Sequence, residues 1–138
     1  MVVSKFISIK TSGHTDIIDI TGDVQENLIK TKLKNGIVNV SVPGSTAGIT
    51  TAEFEPGQIA DLKKLFQDLI PEDTHYKHDD TWGDANGYAH LRSALIGTSK
   101  SFPFIDAKLS LGTWQQIVLI DFDNRPRLRK IILQFMGG

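Results

Sequence analysis

Apolar and polar side chains nearly alternate through Val3-Ser4-Lys5-Phe6-Ile7-Ser8-Ile9, and β-branched residues are frequent there, the pattern of a half-buried strand. Gly13 interrupts the run and Ile17-Ile18-Asp19-Ile20 resumes it, so residues 2–21 are predicted as two strands forming an antiparallel pair. Val24, Leu28, Ile29 and Leu33 then recur at helical spacing, with Thr21-Gly22-Asp23 offering side-chain oxygens to the free amides at the start and Asn35-Gly36 a left-handed stop. Alternation returns over residues 36–42, Pro43-Gly44 punctuates it, and residues 49–54 read as a threonine-rich strand. Pro56 suits the first turn of a helix, and Ile59, Leu62, Leu65, Phe66 and Leu69 form an apolar stripe that Pro71 ends. Residues 71–87 keep no period. A short helix over residues 90–96 and strands over residues 101–105, 108–111, 115–122 and 128–136 complete the chain. The order predicts an α+β fold, a two-layer sandwich of mainly antiparallel sheet with two main helices, in one domain over residues 1–138. Nothing alternates as βαβαβ around a glycine-rich phosphate turn, which excludes a Rossmann reading.

Composition narrows the chemistry. With 138 residues, 40% of them hydrophobic, the chain buries a sufficient core without staples, and it contains no cysteine. Disulfides, cysteine zinc sites and thiol nucleophiles are thereby excluded, and histidine, carboxylate and hydroxyl groups are left to carry any reaction. The net charge of -1 supplies no global field for nucleic acid or an anionic membrane, so neither is an expected partner. The longest apolar stretches, such as residues 117–120, fall far short of the ~20 residues of a spanning helix. The N-terminus lacks a basic segment followed by an apolar one, and a cytoplasmic address is expected.

Three of the four histidines, His75, His78 and His90, fall in or next to the polar stretch that also holds Asp79, Asp80, Asp84 and Asn86. Imidazoles and carboxylates so placed serve either as ligands of a divalent metal, as acid and base, or as a solvated loop whose rings only hydrogen-bond. Glu53 is a carboxylate in a threonine-rich strand, pointing to water or into a site. The run Pro43-Gly44-Ser45-Thr46-Ala47-Gly48 has the small residues, hydroxyls and accessible amides of an anion nest, and equally of a plain strand connection. Arg125, Arg127, Arg129 and Lys130 form a basic cluster, read either as a phosphate site or as a solvent or subunit face neutralised by Asp121 and Asp123. Arg92, next but one to His90, is placed with that histidine as a ligand-binding group.

Taken together, Gly44-Ser45-Thr46-Ala47-Gly48-Ile49-Thr50-Thr51 with Glu53, then His78-Asp79, then His90-Leu91-Arg92-Ser93-Ala94-Leu95-Ile96-Gly97, then Leu111-Gly112-Thr113-Trp114-Gln115-Gln116-Ile117, resemble the YjbQ family almost end to end. The resemblance implies a homotrimer with polar pockets near subunit contacts. It also implies a thiamine-phosphate synthase activity that joins a thiazole phosphate to a hydroxymethylpyrimidine diphosphate with loss of pyrophosphate. A histidine-based metal or anion site is implied as well, with Gly44 standing where many relatives carry one of the histidines. On this reading Glu53, His78, His90 and Arg92 are the catalytic candidates. Ser45, Thr46, Ser93 and Gln115 bind the substrate, a small phosphorylated heterocycle. His78 and His90 are the candidate ligands of a divalent metal, zinc or magnesium. The alternative is a trimer that binds a small phosphorylated metabolite or a metal and turns nothing over.

Overall fold

In the computed structural model, which describes residues 1–138, the alternating opening run forms β1 (Val2–Thr11) and the apolar run after Gly13 forms β2 (Asp16–Asp19). The two strands do not pair with each other as expected. Gly13, His14 and Thr15 have φ of 77°, 53° and 64°, a left-handed stretch that carries the chain out of one sheet and into another. β1 instead lies antiparallel to the C-terminal strand β8 (Arg127–Gly137), and β2 to β7 (Gln116–Asp121). The turn that would make a hairpin depends on local φ, and nothing in His14-Thr15 advertises a left-handed conformation.

The remaining elements are α1 (Thr21–Thr31), β3 (Gly36–Ser41), β4 (Ala47–Ala52), α2 (Pro56–Leu69), α3 (Lys77–Trp82), α4 (Gly87–Ile96), β5 (Ser99–Ile105) and β6 (Lys108–Leu109). They complete two sheets, β1-β8-β3-β5-β6 and β2-β7-β4, with every pairing antiparallel. The fold is α+β.

β7 explains how the parts stack. Its Ile117 and Leu119 join Val38, Val40, Leu133 and Phe135 of the larger sheet and Val24 and Leu28 of α1 in one core. Its Val118 and Ile120 point the other way, to Phe66 of α2 and Tyr88 and Ala89 of α4. A strand buried on both faces reads as a continuous apolar run rather than an alternating one, as residues 117–120 do. Each such side chain is worth ~1.5–3 kcal/mol by area, so this strand anchors both cores.

Local chemistry departs from expectation at three helices. The side chains of Thr21 and Asp23 do not cap α1. The cap comes from Asp19, whose Oδ1 accepts from the Thr21 amide at 2.9 Å, while Thr21 Oγ1 accepts from the Ile117 amide at 2.8 Å. The helix also ends earlier, at a left-handed Lys32 (φ 63°) instead of Asn35-Gly36. α2 starts at Pro56 as expected, with Glu55 accepting from the Gly57 and Gln58 amides, but of its stripe only Phe66 is fully buried and Leu65 and Leu69 stay exposed. The stretch 71–87 contains α3, a six-residue helix with no buried residue and so no apolar period to reveal it.

Candidate functional site

The site is assembled where α4 packs. Gly87 opens the helix against α3, where a Cβ would lie 2.7 Å from Tyr76 Cβ, so only glycine permits the approach. Asp79 of α3 joins the two elements, its Oδ1 accepting from the Gly87 amide at 3.1 Å and its Oδ2 from the Tyr76 amide at 3.0 Å. Those backbone donors, Tyr76 foremost, hold the Asp79 carboxyl below the usual carboxylate range. The result is that His78 and His90 stack, with ring centroids 4.3 Å apart and planes inclined by 37°. Burial lowers the His90 pKa and the neighbouring His78 lowers it further, against the opposing pull of Asp123 and Asp84, which keeps the ring chiefly uncharged near neutral pH.

On its other side α4 rests on β4, where Ser93 Oγ donates to the Ala47 carbonyl at 2.6 Å. Lys100 Nζ donates to the Ile96 carbonyl at 2.7 Å and places a cation at the negative end of the helix. Between this face of α4 and the loop joining β3 to β4 is a cavity of about 330 Å³, lined by Gly44, Ser45, His90, Ser93, Ala94, Gly97 and Thr98. His90, Ser93, Ala94 and Gly97 fall at i, i+3, i+4 and i+7 and so share one side of the helix. The lining holds three hydroxyls, one imidazole and a single apolar side chain, which suits a small polar ligand rich in oxygen. Two larger depressions, of about 460 and 600 Å³, are lined by Phe54, Ile59 and Lys63 and by Gln25, Ile29 and Lys108, and carry no imidazole or hydroxyl.

Of the residues singled out from the sequence, Ser45, His90 and Ser93 meet at this cavity, and His78 stacks on His90. The others do not. Arg92 is 1% exposed and faces the core, with its charge among the rings of Tyr88, Phe66 and Phe122 at 5.0, 5.9 and 5.9 Å. Its Nε and Nη2 donate to the Ile70 carbonyl at 3.0 and 2.7 Å, Nη1 to Thr15 Oγ1 at 2.7 Å and Nη2 also to Gln67 Oε1 at 3.3 Å. It fastens the end of α2 to the loop before β2 and has no reach into the cavity. Thr46 is likewise turned inward, its hydroxyl accepting from Arg129 Nη2 at 2.7 Å and donating to Asp123 Oδ2 at 3.1 Å. Glu53 is exposed beyond the end of β4. Gln115 is exposed too, its Oε1 accepting from the Gly112 amide at 3.0 Å and its Nε2 donating to Thr51 Oγ1 at 3.3 Å.

The donor set around the stacked histidines does not make up a zinc or magnesium site. Asp84 Oδ1 stands 3.7 Å from His78 Nδ1, but the three side chains do not converge on one point as metal ligands, whereas a catalytic zinc takes three protein ligands and magnesium prefers oxygen.

A buried ionic network behind the cavity is the feature that sequence reading placed on the surface. Arg129, 4% exposed, donates from Nε and Nη2 to Asp121 Oδ2 and Oδ1 at 2.8 and 2.9 Å, and Thr11 Oγ1 donates to Asp121 Oδ2 at 2.5 Å. Asp123 accepts from Arg127 Nη1 at 2.7 Å and from Asn86 Nδ2 at 3.2 Å. Burial pushes both carboxyls up, and these donors more than offset it, leaving each below its ordinary value. The signal was available in the spacing Asp-x-Asp directly after the apolar run 117–120, which continues that strand's inward alternation.

A family model described as UPF0047 protein YjbQ-like matches residues 5–138. The chain belongs to the YjbQ family. A UPF0047 protein of Archaeoglobus fulgidus is 36% identical to it over 128 residues, 93% of this chain and 97% of that one. The UPF0047 protein YugU of Bacillus subtilis is 33% identical over 135 residues, 96% of this chain and 98% of that one. Among solved structures, a YbjQ-like protein of unknown function from Sulfolobus solfataricus matches with a TM-score of 0.90 at 31% identity, both chains being covered completely. A hypothetical protein from Aeropyrum pernix matches with a TM-score of 0.92 at 32% identity over 99% of each chain. Family membership carries the fold of this YjbQ protein from end to end.

Proposed function

We propose that this YjbQ protein binds a small phosphorylated metabolite in the cavity between α4 and the β3–β4 loop. The observation that carries the reading is the lining itself, in which the hydroxyls of Ser45 and Thr98 flank His90, the one titratable side chain there, while Ser93 Oγ donates to the Ala47 carbonyl and fixes α4 against β4. Hydroxyls and backbone amides suit phosphate oxygens, and an imidazole has a ring N–H to donate to them in its neutral form as well. The reaction implied by the family resemblance fits such a site. The thiazole nitrogen attacks the methylene carbon of the pyrimidine diphosphate, the carbon–oxygen bond breaks with its electron pair on the oxygen, and pyrophosphate departs. His90 donates a hydrogen bond from its ring N–H to the departing oxygen as its charge develops. Assembly as a homotrimer accords with Leu91 and Leu95, exposed on α4 beside the cavity. A cytoplasmic address accords with the absence of cysteine, and no helix is long and apolar enough to cross a membrane.

The placement of Arg92 and Glu53 outside the cavity favours a second reading, in which the protein holds the metabolite without turning it over. Incubation with the pyrimidine diphosphate and thiazole phosphate separates the two. Thiamine phosphate that forms with the wild type and is lost in His90→Ala supports the transferase. Absence of product, with phosphate still raising the melting temperature of the wild type and raising it less in His90→Ala, supports the binder.

A further inference from the structure

The cavity lining contains no permanently charged group, yet one lies directly behind it. Arg129 spends Nε and Nη2 on Asp121 and Thr46, while Nη1 has no hydrogen-bond acceptor in the protein. The polar atoms that the fold seals from solvent without a partner are His78 Nδ1, Asn86 Oδ1 and Tyr88 Oη, and Nη1 is not one of them. Its position is marked by Gly44, a cavity residue, because a Cβ at Gly44 would sit 3.2 Å from Nη1. Gly44 has φ of 136°, a conformation that L side chains rarely adopt, so backbone and space both keep a side chain out of the path between the cavity and the guanidinium.

We infer that Arg129 is the charged anchor of the cavity, contacting a tetrahedral dianion of the phosphate or sulfate type with Nη1 through the gap at Gly44. This rests on the reading of the cavity as a phosphate site and adds to it the residue that sets the preference for a doubly charged oxyanion. The geometry is that of a guanidinium held in place on two of its three nitrogens, with the third presented to the ligand. Such an anchor is pre-oriented and loses little freedom on binding. The facing charges balance locally: Asp121 is paired with Arg129 and Asp123 with Arg127, and on α4 the only titratable group at the cavity is His90. An incoming dianion therefore meets Arg129 Nη1 on the Gly44 side and, on the Gly97 side, the Lys100 ammonium, which already donates to the Ile96 carbonyl and would lie 3.1 Å from a Cβ at Gly97. Because arginine keeps its charge across the accessible pH range, binding carried by Arg129 persists where imidazoles are neutral.

Sulfate is the probe of choice, since it remains a dianion throughout. Its affinity is measured calorimetrically on the wild-type protein at about pH 6 and about pH 9, on either side of the imidazole range, at constant ionic strength. Affinity within about threefold at the two values is expected, and a fall of about 30-fold or more on going to the higher one assigns the charge to histidine and overturns the inference while leaving the phosphate reading intact. No binding of sulfate or of phosphate at either value overturns the phosphate reading and the inference with it. Gly44→Ala puts a methyl group against Nη1 and is expected to weaken sulfate about tenfold or more at both values while the protein still melts cooperatively. A folded Gly44→Ala that binds sulfate like the wild type also overturns the inference. Lys100→Gln separates the two cations beside the cavity: sulfate affinity close to that of the wild type supports Arg129, and a loss of about tenfold or more at both values assigns the charge to Lys100 and overturns the inference, whether or not Gly44→Ala folds.

Discussion

Asp121→Asn tests the buried network most directly. Asp121 is completely buried and accepts from Arg129 twice, from Thr11 Oγ1 and from the Asp123 amide at 3.0 Å. Asparagine preserves the shape, removes the charge and turns one acceptor oxygen into a donor that faces other donors. Arg129 is left as a cation in the interior, its next carboxylate oxygen being Asp123 Oδ2 at 3.9 Å, which Arg127 already holds at 2.7 Å. Removing one partner of a buried pair costs ~3–5 kcal/mol, and the nearness of Asp123 puts the expected loss at the lower end, ~3 kcal/mol. With an unfolding entropy of ~2.1 cal/mol/K per residue, 138 residues give ~0.29 kcal/mol/K, so Tm falls by ~10 °C. Urea titration and calorimetry at neutral pH read both quantities, with the urea m-value unchanged. A loss under ~1 kcal/mol, the size expected of a surface pair, refutes the account of Arg129 as a buried cation dependent on Asp121. The double variant Asp121→Leu with Arg129→Met is expected to cost less than Asp121→Asn alone, because it strands no charge.

The same network sets the acid limit of the fold. Asp121 and Asp123 have pKa values below those of the unfolded chain, so their stabilisation is present above ~3.9 and is lost as pH falls through their lower folded values, a loss that chemical melts followed to low pH should show reduced in Asp121→Asn. His90 contributes a second slope, since its lowered pKa lets the unfolded chain take the proton first and stability falls on acidification below ~6.5; His90→Gln should flatten melts over that window. Gly87→Ala drives a methyl group toward Tyr76 Cβ and is expected to cost ~1–3 kcal/mol, with a change in the fluorescence of Trp82 at the end of α3. Arg92→Met loses four hydrogen bonds but keeps contact with Phe66, Tyr88 and Phe122. Urea melts should show a loss of ~2–4 kcal/mol while sulfate affinity of the folded protein stays close to that of the wild type.

What the sequence revealed of the fold follows from which face of each element is buried. α2 and β7 were visible because a capped proline start or an unbroken apolar run leaves few alternatives, and β1 because its alternation survives at a sheet edge. The pairing of β1 with β8 was not visible, since it joins the two ends of the chain and depends on a left-handed turn at His14 and Thr15. At the site, Ser45, His90 and Ser93 were chosen for their chemistry and the fold brings them to one cavity. Arg92 was chosen for standing next but one to His90. On a helix, two positions are ~200° of rotation, so a neighbour at that spacing faces away, and the residues that share the His90 side stand at 93, 94 and 97.

The reversal at β8 has the same origin and was equally within reach of the pattern. Arg127 and Arg129 occupy alternate positions of one strand, and the next residues of that series are Ile131, Leu133 and Phe135, all buried. A period of two therefore assigns both arginines to the inward side, and their charge argues against that side only while no carboxylate is known to be waiting there. Asp121 and Asp123, at the end of a strand buried on both faces, are those carboxylates. The positions of these four charged residues follow from alternation, and their mutual proximity follows from the antiparallel arrangement that stacks β7 of one sheet against β8 of the other. Alternation alone does not fix which guanidinium nitrogen is left over. That depends on Thr46 taking one Nη2 hydrogen and on position 44 lacking a side chain, two facts contributed by the loop between β3 and β4 and by no periodic element.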